Sequence, residues 1–287
     1  MSRPSTPGNS PEALSKVTTP GLRARKLAGV RISALTAYDY PTALIVEEAG
    51  IDVVLVGDSL ANVVLGYENT LPVSVEEMLA ALRAVGRGVR RALLVADMPF
   101  GSYHVGEEKA LEAAVNFIKA GAEAVKLEGG SSRAPLVRRL VENGIPVMGH
   151  IGLTPQSIHV MGGYKVQGKG PEASRELVEA ALALERAGAF SIVLEGIPAP
   201  LARELTGRLE IPTIGIGAGP DCDGQILVLA DLLGLVPGRK PKFVRRYVNL
   251  FEQAVEAVHA YRRDVLDGQF PSAEESYGMK PRTIAKA

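Results

Sequence analysis

Short apolar runs, each closed by a charged or imidazole side chain, recur along this chain. Val53-Val54-Leu55-Val56-Gly57 ends on Asp58, and Leu93-Leu94-Val95-Ala96 ends on Asp97. Pro146-Val147-Met148-Gly149 ends on His150, and Ser191-Ile192-Val193-Leu194 on Glu195. Ala124-Val125-Lys126-Leu127-Glu128 carries two charges two residues apart and runs directly into Gly129-Gly130. Residues two apart on a strand share a face. Burying a Lys and a Glu is costly unless each has a partner or a task. Polar groups collected at the carboxyl ends of buried strands point to an active site.

The continuous β-branched runs predict strands near 32–37, 52–57, 92–97, 123–128, 146–150, 190–195, 211–216 and 226–230. Helical patterns over 75–90, 106–120, 131–143, 171–187 and 198–208 alternate with them. Ser74 and Glu77 read as a capping box for the first of these helices. Gly121, Gly144, Gly188 and Gly207 punctuate helix ends. Strands alternating with helices in this way predict a single-domain (β/α)8 TIM barrel of the α/β class. A doubly wound sheet is the alternative, but it gathers its site at one switch point, whereas here the polar strand ends are spread over many strands. Residues 1–20, rich in Ser, Pro and Thr, read as a flexible tail. The barrel with a C-terminal helix over 241–266 spans 21–266, and 267–287 is a second tail.

Composition narrows the chemistry. Apolar residues make up 46% of the 287, aromatics only 5%, and Trp is absent, which suits aliphatic parallel strands covered by helices. Formal net charge is zero, and no basic block marks a nucleic-acid or membrane footprint. Arg87, Arg90 and Arg91 read as a solvated helix end. Cys222 is alone, so neither a disulfide framework nor a Cys-based zinc site is expected. No apolar run reaches the roughly 18 residues of a membrane span. A soluble, cytoplasmic protein fits.

Asp58 and Asp97 at neighbouring strand ends would repel unless a cation lay between them. Oxygen ligands with few histidines favour Mg²⁺ over Zn²⁺, with Glu128 completing the set directly or through water. The plainer reading is that each Asp caps a helix or fixes a loop. Lys126 calls for an anion, either a substrate carboxylate or enolate or simply a neighbouring acid. His150 positions a substrate or shuttles a proton, or is a satisfied core imidazole. Ser59 hydrogen-bonds a substrate or caps the next turn. Glu195 suits a general base, or else stands behind a metal's own ligands or anchors a loop. His104 and His159 fall in loops near the same rim, and His259 on the late helix. Gly215-Ile216-Gly217-Ala218-Gly219 lacks a Rossmann or Walker pattern and reads as a loop that approaches a ligand closely.

Several of these segments, taken together, resemble one family. They are Leu35-Thr36-Ala37-Tyr38-Asp39, Val56-Gly57-Asp58-Ser59, Thr70-Leu71-Pro72-Val73, Ala96-Asp97-Met98-Pro99-Phe100 and Val125-Lys126-Leu127-Glu128-Gly129-Gly130. Gly149-His150-Ile151-Gly152-Leu153-Thr154-Pro155-Gln156-Ser157, then Gly162-Gly163-Tyr164-Lys165-Val166-Gln167-Gly168, form the most specific block. Val193-Leu194-Glu195, Ile214 to Gly219 and Asp223 to Val228 complete the series. The pattern resembles ketopantoate hydroxymethyltransferases. That resemblance implies transfer of a hydroxymethyl group from 5,10-methylenetetrahydrofolate to 3-methyl-2-oxobutanoate. The product would be 2-dehydropantoate, on the route to pantothenate and coenzyme A, formed through a Mg²⁺-stabilised enolate. It also implies Asp58, Asp97 and Glu128 around the metal, Ser59, Asp97 and Lys126 on the oxo acid, Glu195 as base, and a homodecamer. Two positions depart from the pattern: Ala230 and Tyr67 stand where members often carry His.

Two other functions stay open on the residues alone. Phosphoenolpyruvate mutase and isocitrate lyase barrels also hold Mg²⁺ and an oxo acid, without folate. A non-enzymatic oxo-acid sensor would not need an unpaired base such as Glu195.

Overall fold

The computed structural model describes residues 15–238 and 240–278. Of the described residues, those up to Leu229, with Pro241–Val244, form one compact unit, and the others from Ala230 on form a second. In the first unit eight strands close a parallel barrel in chain order. They are β1 (Ile32–Thr36), β2 (Val53–Val56), β3 (Leu93–Asp97), β4 (Ala124–Glu128), β5 (Val147–Gly152), β6 (Ser191–Glu195), β7 (Thr213–Ile216) and β8 (Gly224–Leu227). The helices are α1 (Thr19–Leu27), α2 (Tyr40–Glu48), α3 (Leu60–Val63), α4 (Val75–Gly86), α5 (Glu107–Lys119), α6 (Ala134–Glu142), α7 (Ile158–Met161), α8 (Pro171–Arg186), α9 (Ala199–Arg208), α10 (Leu229–Leu233) and α11 (Leu250–Leu266).

The expected capping box opens α4: Ser74 Oγ accepts from Glu77 N–H, and Glu77 accepts from Ser74 N–H at 2.7 Å. Gly121, Gly144 and Gly188 follow their helices with positive φ, whereas Gly207 lies inside α9. The last strand is 224–227 rather than 226–230, because Leu229 turns into α10; its N–H donates to Thr36 Oγ1. Its start is set by Gly224, where a Cβ would stand 2.5 Å from Ile32 O.

Alternate residues of each strand fill the barrel. Ile32 and Ala34, Val53 and Leu55, Leu93 and Val95, Ala124, Met148, Val193, Ile214 and Ile226 make one buried cluster. Val17 and Leu22 join it beside the first residues of the strands, so the segment before β1 closes the amino end of the barrel. Residues 15–20 are therefore anchored and not part of a loose tail. Val17 N–H donates to Arg91 O, Lys16 reaches Glu123, and Thr18 caps α1. The Ser, Pro and Thr richness that suggested a tail hid one buried Val, Val17. Residues 1–14 lie outside the described residues.

Arg91 is not a solvated helix end either. Its guanidinium donates to Gly50 O and Ile51 O and lies 3.5 Å from Asp52. In the second unit α11 begins at Leu250, not near 241, with Phe251 N–H donating to Gly234 O and Tyr247 N–H to Leu232 O. Beyond Leu266 the described residues form turns and bends, and 279–287 lie outside them. Among the described residues no helix is long and apolar enough to cross a membrane.

Candidate active site

Parallel register turns strand parity into a single polar layer. Asp97 pairs with Lys126, Glu128 with His150, and Gly152 with Glu195. Two residues before Asp97, Lys126, His150 and Glu195 stand the cluster members Val95, Ala124, Met148 and Val193, and Glu128 stands two beyond Lys126 on the same strand face. The five polar side chains therefore face inward at the carboxyl end. Gly152 is required there: its φ is +94°, and a Cβ would lie 2.2 Å from Glu195 O.

Asp58 comes from the turn after β2, and its N–H donates to Asp97 Oδ2 at 3.2 Å. Lys126 Nζ donates to both Asp97 oxygens, at 2.8 and 2.7 Å, with the side chains 5% and 1% exposed. Burial opposes the ammonium, but Asp97, Glu128 and Asp58 outweigh it and hold the Lys126 pKa above its usual range. Burial, reinforced by Asp97 and Glu128, pushes the Asp58 carboxyl well up. Asp97 is also raised by burial, with Lys126 pulling the other way.

His150 is buried between two acids, its Nδ1 3.3 Å from Glu128 Oε1 and its Nε2 3.1 Å from Glu195 Oε2. Burial and Lys126 disfavour an imidazolium, yet the two carboxylates prevail and raise its pKa to about 9. Glu128 responds in kind: against the effect of burial, His150 and Lys126 hold its pKa low. Ser59 does not cap α3; its hydroxyl lies 2.7 Å from Tyr38 OH.

Two further residues bind this layer together, and strand periodicity marks neither. Gln156 Nε2 donates to Asp58 Oδ2 and Met98 O, both at 3.0 Å, and its N–H donates to Glu128 Oε2. Its Oε1 accepts from Tyr103 OH at 2.6 Å. Gln156 belongs to the specific block quoted above, which was the only sequence signal for it. Of the other histidines, His104 lies in the loop after β3, His159 is exposed on α7, and His259 is exposed on α11. The glycine segment after β7 meets protein rather than open space, since Cβ atoms at Gly217 and Gly219 would strike Phe243 and Ala199. Tyr67 is half-exposed with its hydroxyl on Glu77 Oε1, and Ala230 lies in α10 rather than a strand.

The layer fits a divalent cation. With all acids ionised, Asp58, Asp97, Glu128 and Glu195 supply four negative charges against two positive ones from Lys126 and His150. The excess equals the charge of one such ion, and Asp58, whose carboxyl is the most disfavoured by its neighbours, is where it would be relieved. Among the described residues no three His, Cys, Asp or Glu side chains form a ready cage. Mg²⁺ does not need one, since it usually takes one or two carboxylates and keeps waters and substrate oxygens. Asp58 and Asp97 fit that pattern. Glu128, engaged with Gln156 and His150, fits through water.

The family model for ketopantoate hydroxymethyltransferase matches residues 16–273. The 3-methyl-2-oxobutanoate hydroxymethyltransferase of Koribacter versatilis is 57% identical over 266 residues, 92% of this chain and 90% of that one. Its namesake in Heliobacterium modesticaldum is 54% identical over 92% of this chain and 96% of its own. Among solved structures, 2,3-dimethylmalate lyase, a PEP mutase/isocitrate lyase superfamily member, superposes with a TM-score of 0.57. It covers 92% of both chains at 16% identity, a likeness of fold alone. The chain belongs to the ketopantoate hydroxymethyltransferase family.

Proposed function

We propose that this enzyme transfers a hydroxymethyl group from 5,10-methylenetetrahydrofolate to 3-methyl-2-oxobutanoate, consuming one water and releasing 2-dehydropantoate and tetrahydrofolate. The observation that carries the reading is Glu195 at the barrel mouth, its side chain 16% exposed and 3.1 Å from a buried His150, in one layer with Asp97, Lys126 and Glu128 and beside Asp58. Relatives more than 50% identical that bear the transferase name support it.

The acceptor carbon lies next to a ketone, so its proton leaves only if charge on the ketone oxygen is stabilised. Mg²⁺ held by Asp58 and Asp97, with Glu128 reached through water, would supply Lewis acidity for that task. Lys126, gripped by both oxygens of Asp97, adds positive charge where the ketone oxygen becomes negative. Ser59, beside Tyr38, offers a hydroxyl to the substrate carboxylate. Glu195 removes the C3 proton, and His150 aims that carboxylate while Glu128 holds the far side of the ring. Water opens the two C–N bonds of the donor's methylene, so that carbon takes its oxygen from water and tetrahydrofolate leaves, and the carbon nucleophile forms the new C–C bond to it. The same resemblance carries with it a cytoplasmic homodecamer, for which sedimentation of the purified protein is the check.

Turnover decides the chemistry. With Mg²⁺, oxo acid and the folate donor, 2-dehydropantoate should accumulate, and omission of the donor should stop it. Consumption of the oxo acid without folate would point instead to a mutase or lyase.

A further inference from the structure

Three rings climb out of the site along the loop that follows β3. Tyr103, 3% exposed, is tied by its hydroxyl to Gln156. His104 lies against it with ring centroids 4.3 Å apart, and Phe100 lies against His104 at 4.7 Å, the planes tilted by 36° and 47°. Gly101 N–H donates to His104 Nδ1 at 3.1 Å, which fixes the plane of the middle ring. The outermost ring, Phe100, is 44% exposed. Over Tyr103, the Arg133 guanidinium stands 5.0 Å from the ring centroid, half-buried. Among the described residues no carboxylate pairs with Arg133.

The acceptor's chemistry leaves this cluster unused. A small oxo acid is served by Asp58, Asp97, Lys126 and Glu195, yet the reaction brings a second and much larger molecule to the same mouth. That donor has a flat heteroaromatic half and a tail ending in carboxylates. Flat heterocycles stack on side-chain rings with little demand on exact partners. A guanidinium pairs with carboxylates in a planar fork.

We propose that Phe100, His104 and Arg133 form the platform on which the one-carbon donor docks, the rings stacking on its flat half and the guanidinium meeting a carboxylate of its tail. The proposal rests on the function given above. Tyr103 joins the platform to the centre, since its hydroxyl reaches Gln156, which holds Asp58. Burial, aided by Arg133, lowers the His104 pKa, which favours the uncharged form of the middle ring.

Calorimetric titration with tetrahydrofolate, and with 6-methyltetrahydropterin, which lacks the tail, tests this. Phe100→Ala should raise Kd for both probes about tenfold or more, and Phe100→Tyr should restore it. Arg133→Ala should weaken tetrahydrofolate and leave the pterin unaffected. C3-proton exchange of the oxo acid in D₂O, run without donor, reads the other half of the site. If the parent protein exchanges and binds tetrahydrofolate while every variant binds it as the parent does, the platform is refuted and the proposed function stands. A Phe100→Ala protein that loses exchange along with binding would also overturn it, because the ring would then be supporting the centre. A parent that neither exchanges nor binds folate would overturn both.

Discussion

His150 Nε2 lies 3.1 Å from Glu195 Oε2, and its other nitrogen lies 3.3 Å from Glu128. The buried ring lies within ion-pair distance of both acids, though neither nitrogen makes a well-aligned hydrogen bond, and Glu195 sits opposite Gly152 at the mouth; a charged ring there attracts the Glu195 carboxylate and limits where it points. His150→Gln should lower kcat about tenfold or more with a smaller change in the oxo-acid KM, since aim rather than binding is lost. Steady-state kinetics with each substrate varied in turn would show it.

The same clasp has a pH signature. Folding raises the His150 pKa from the ordinary 6.5 to about 9. Because the folded value is the higher one, the stabilisation is complete below pH 6.5 and is lost as pH rises through about 9. In chelator, the melting temperature of the parent should fall more steeply between pH 7 and 9 than that of His150→Gln. Parallel curves would show that the imidazolium adds nothing.

Asp58 works in the opposite sense. Its raised pKa means that the ionised carboxylate is held against the preference of its surroundings, above all burial. Stability is therefore given up as pH climbs above the ordinary 3.8. Asp58→Asn should melt higher than the parent at pH 8 without metal, by about 2 °C or more, and should bind Mg²⁺ far more weakly. A lower melting temperature with unchanged Mg²⁺ titration would contradict both parts.

Gln156→Leu removes the amide that spans Asp58, Met98 and Tyr103 while keeping the backbone N–H on Glu128. A buried Tyr103 hydroxyl and the Met98 carbonyl lose a partner, which costs about 1–3 kcal/mol each. Denaturant unfolding should show a loss on that scale, and Mg²⁺ affinity should fall with it.

Gly152→Ala drives a methyl toward Glu195 O, where only 2.2 Å is free, at a φ that side chains avoid. Activity should drop by more than about tenfold, because about an ångström of displacement at a catalytic group can cost two orders of magnitude. A near-normal kcat would show that this strand end does not set the base.

The barrel and its polar layer were legible because both rest on period-two patterning: Asp97, Glu128, His150 and Glu195 each end an apolar run, Lys126 shares a face with Glu128, and parallel register makes them neighbours. Asp58 was legible from the same cue, although it enters from a turn. Elements held by tertiary contacts were not. Val17 closes the barrel as one apolar residue in a polar stretch, and Arg91 is folded inward by carbonyls that no local pattern announces. Gln156 and Tyr103 lie in loops, where neither helix nor strand period applies, so their links to Asp58 and Glu128 emerge only from coordinates.

Glu195 as the base that takes the C3 proton is the center of the account, and exchange of that proton into D₂O without folate reads it most directly. With Mg²⁺ and 3-methyl-2-oxobutanoate, the parent protein should exchange, while Glu195→Gln should bind the oxo acid yet exchange more than about a hundredfold slower. Exchange at the parent's rate in Glu195→Gln would contradict it.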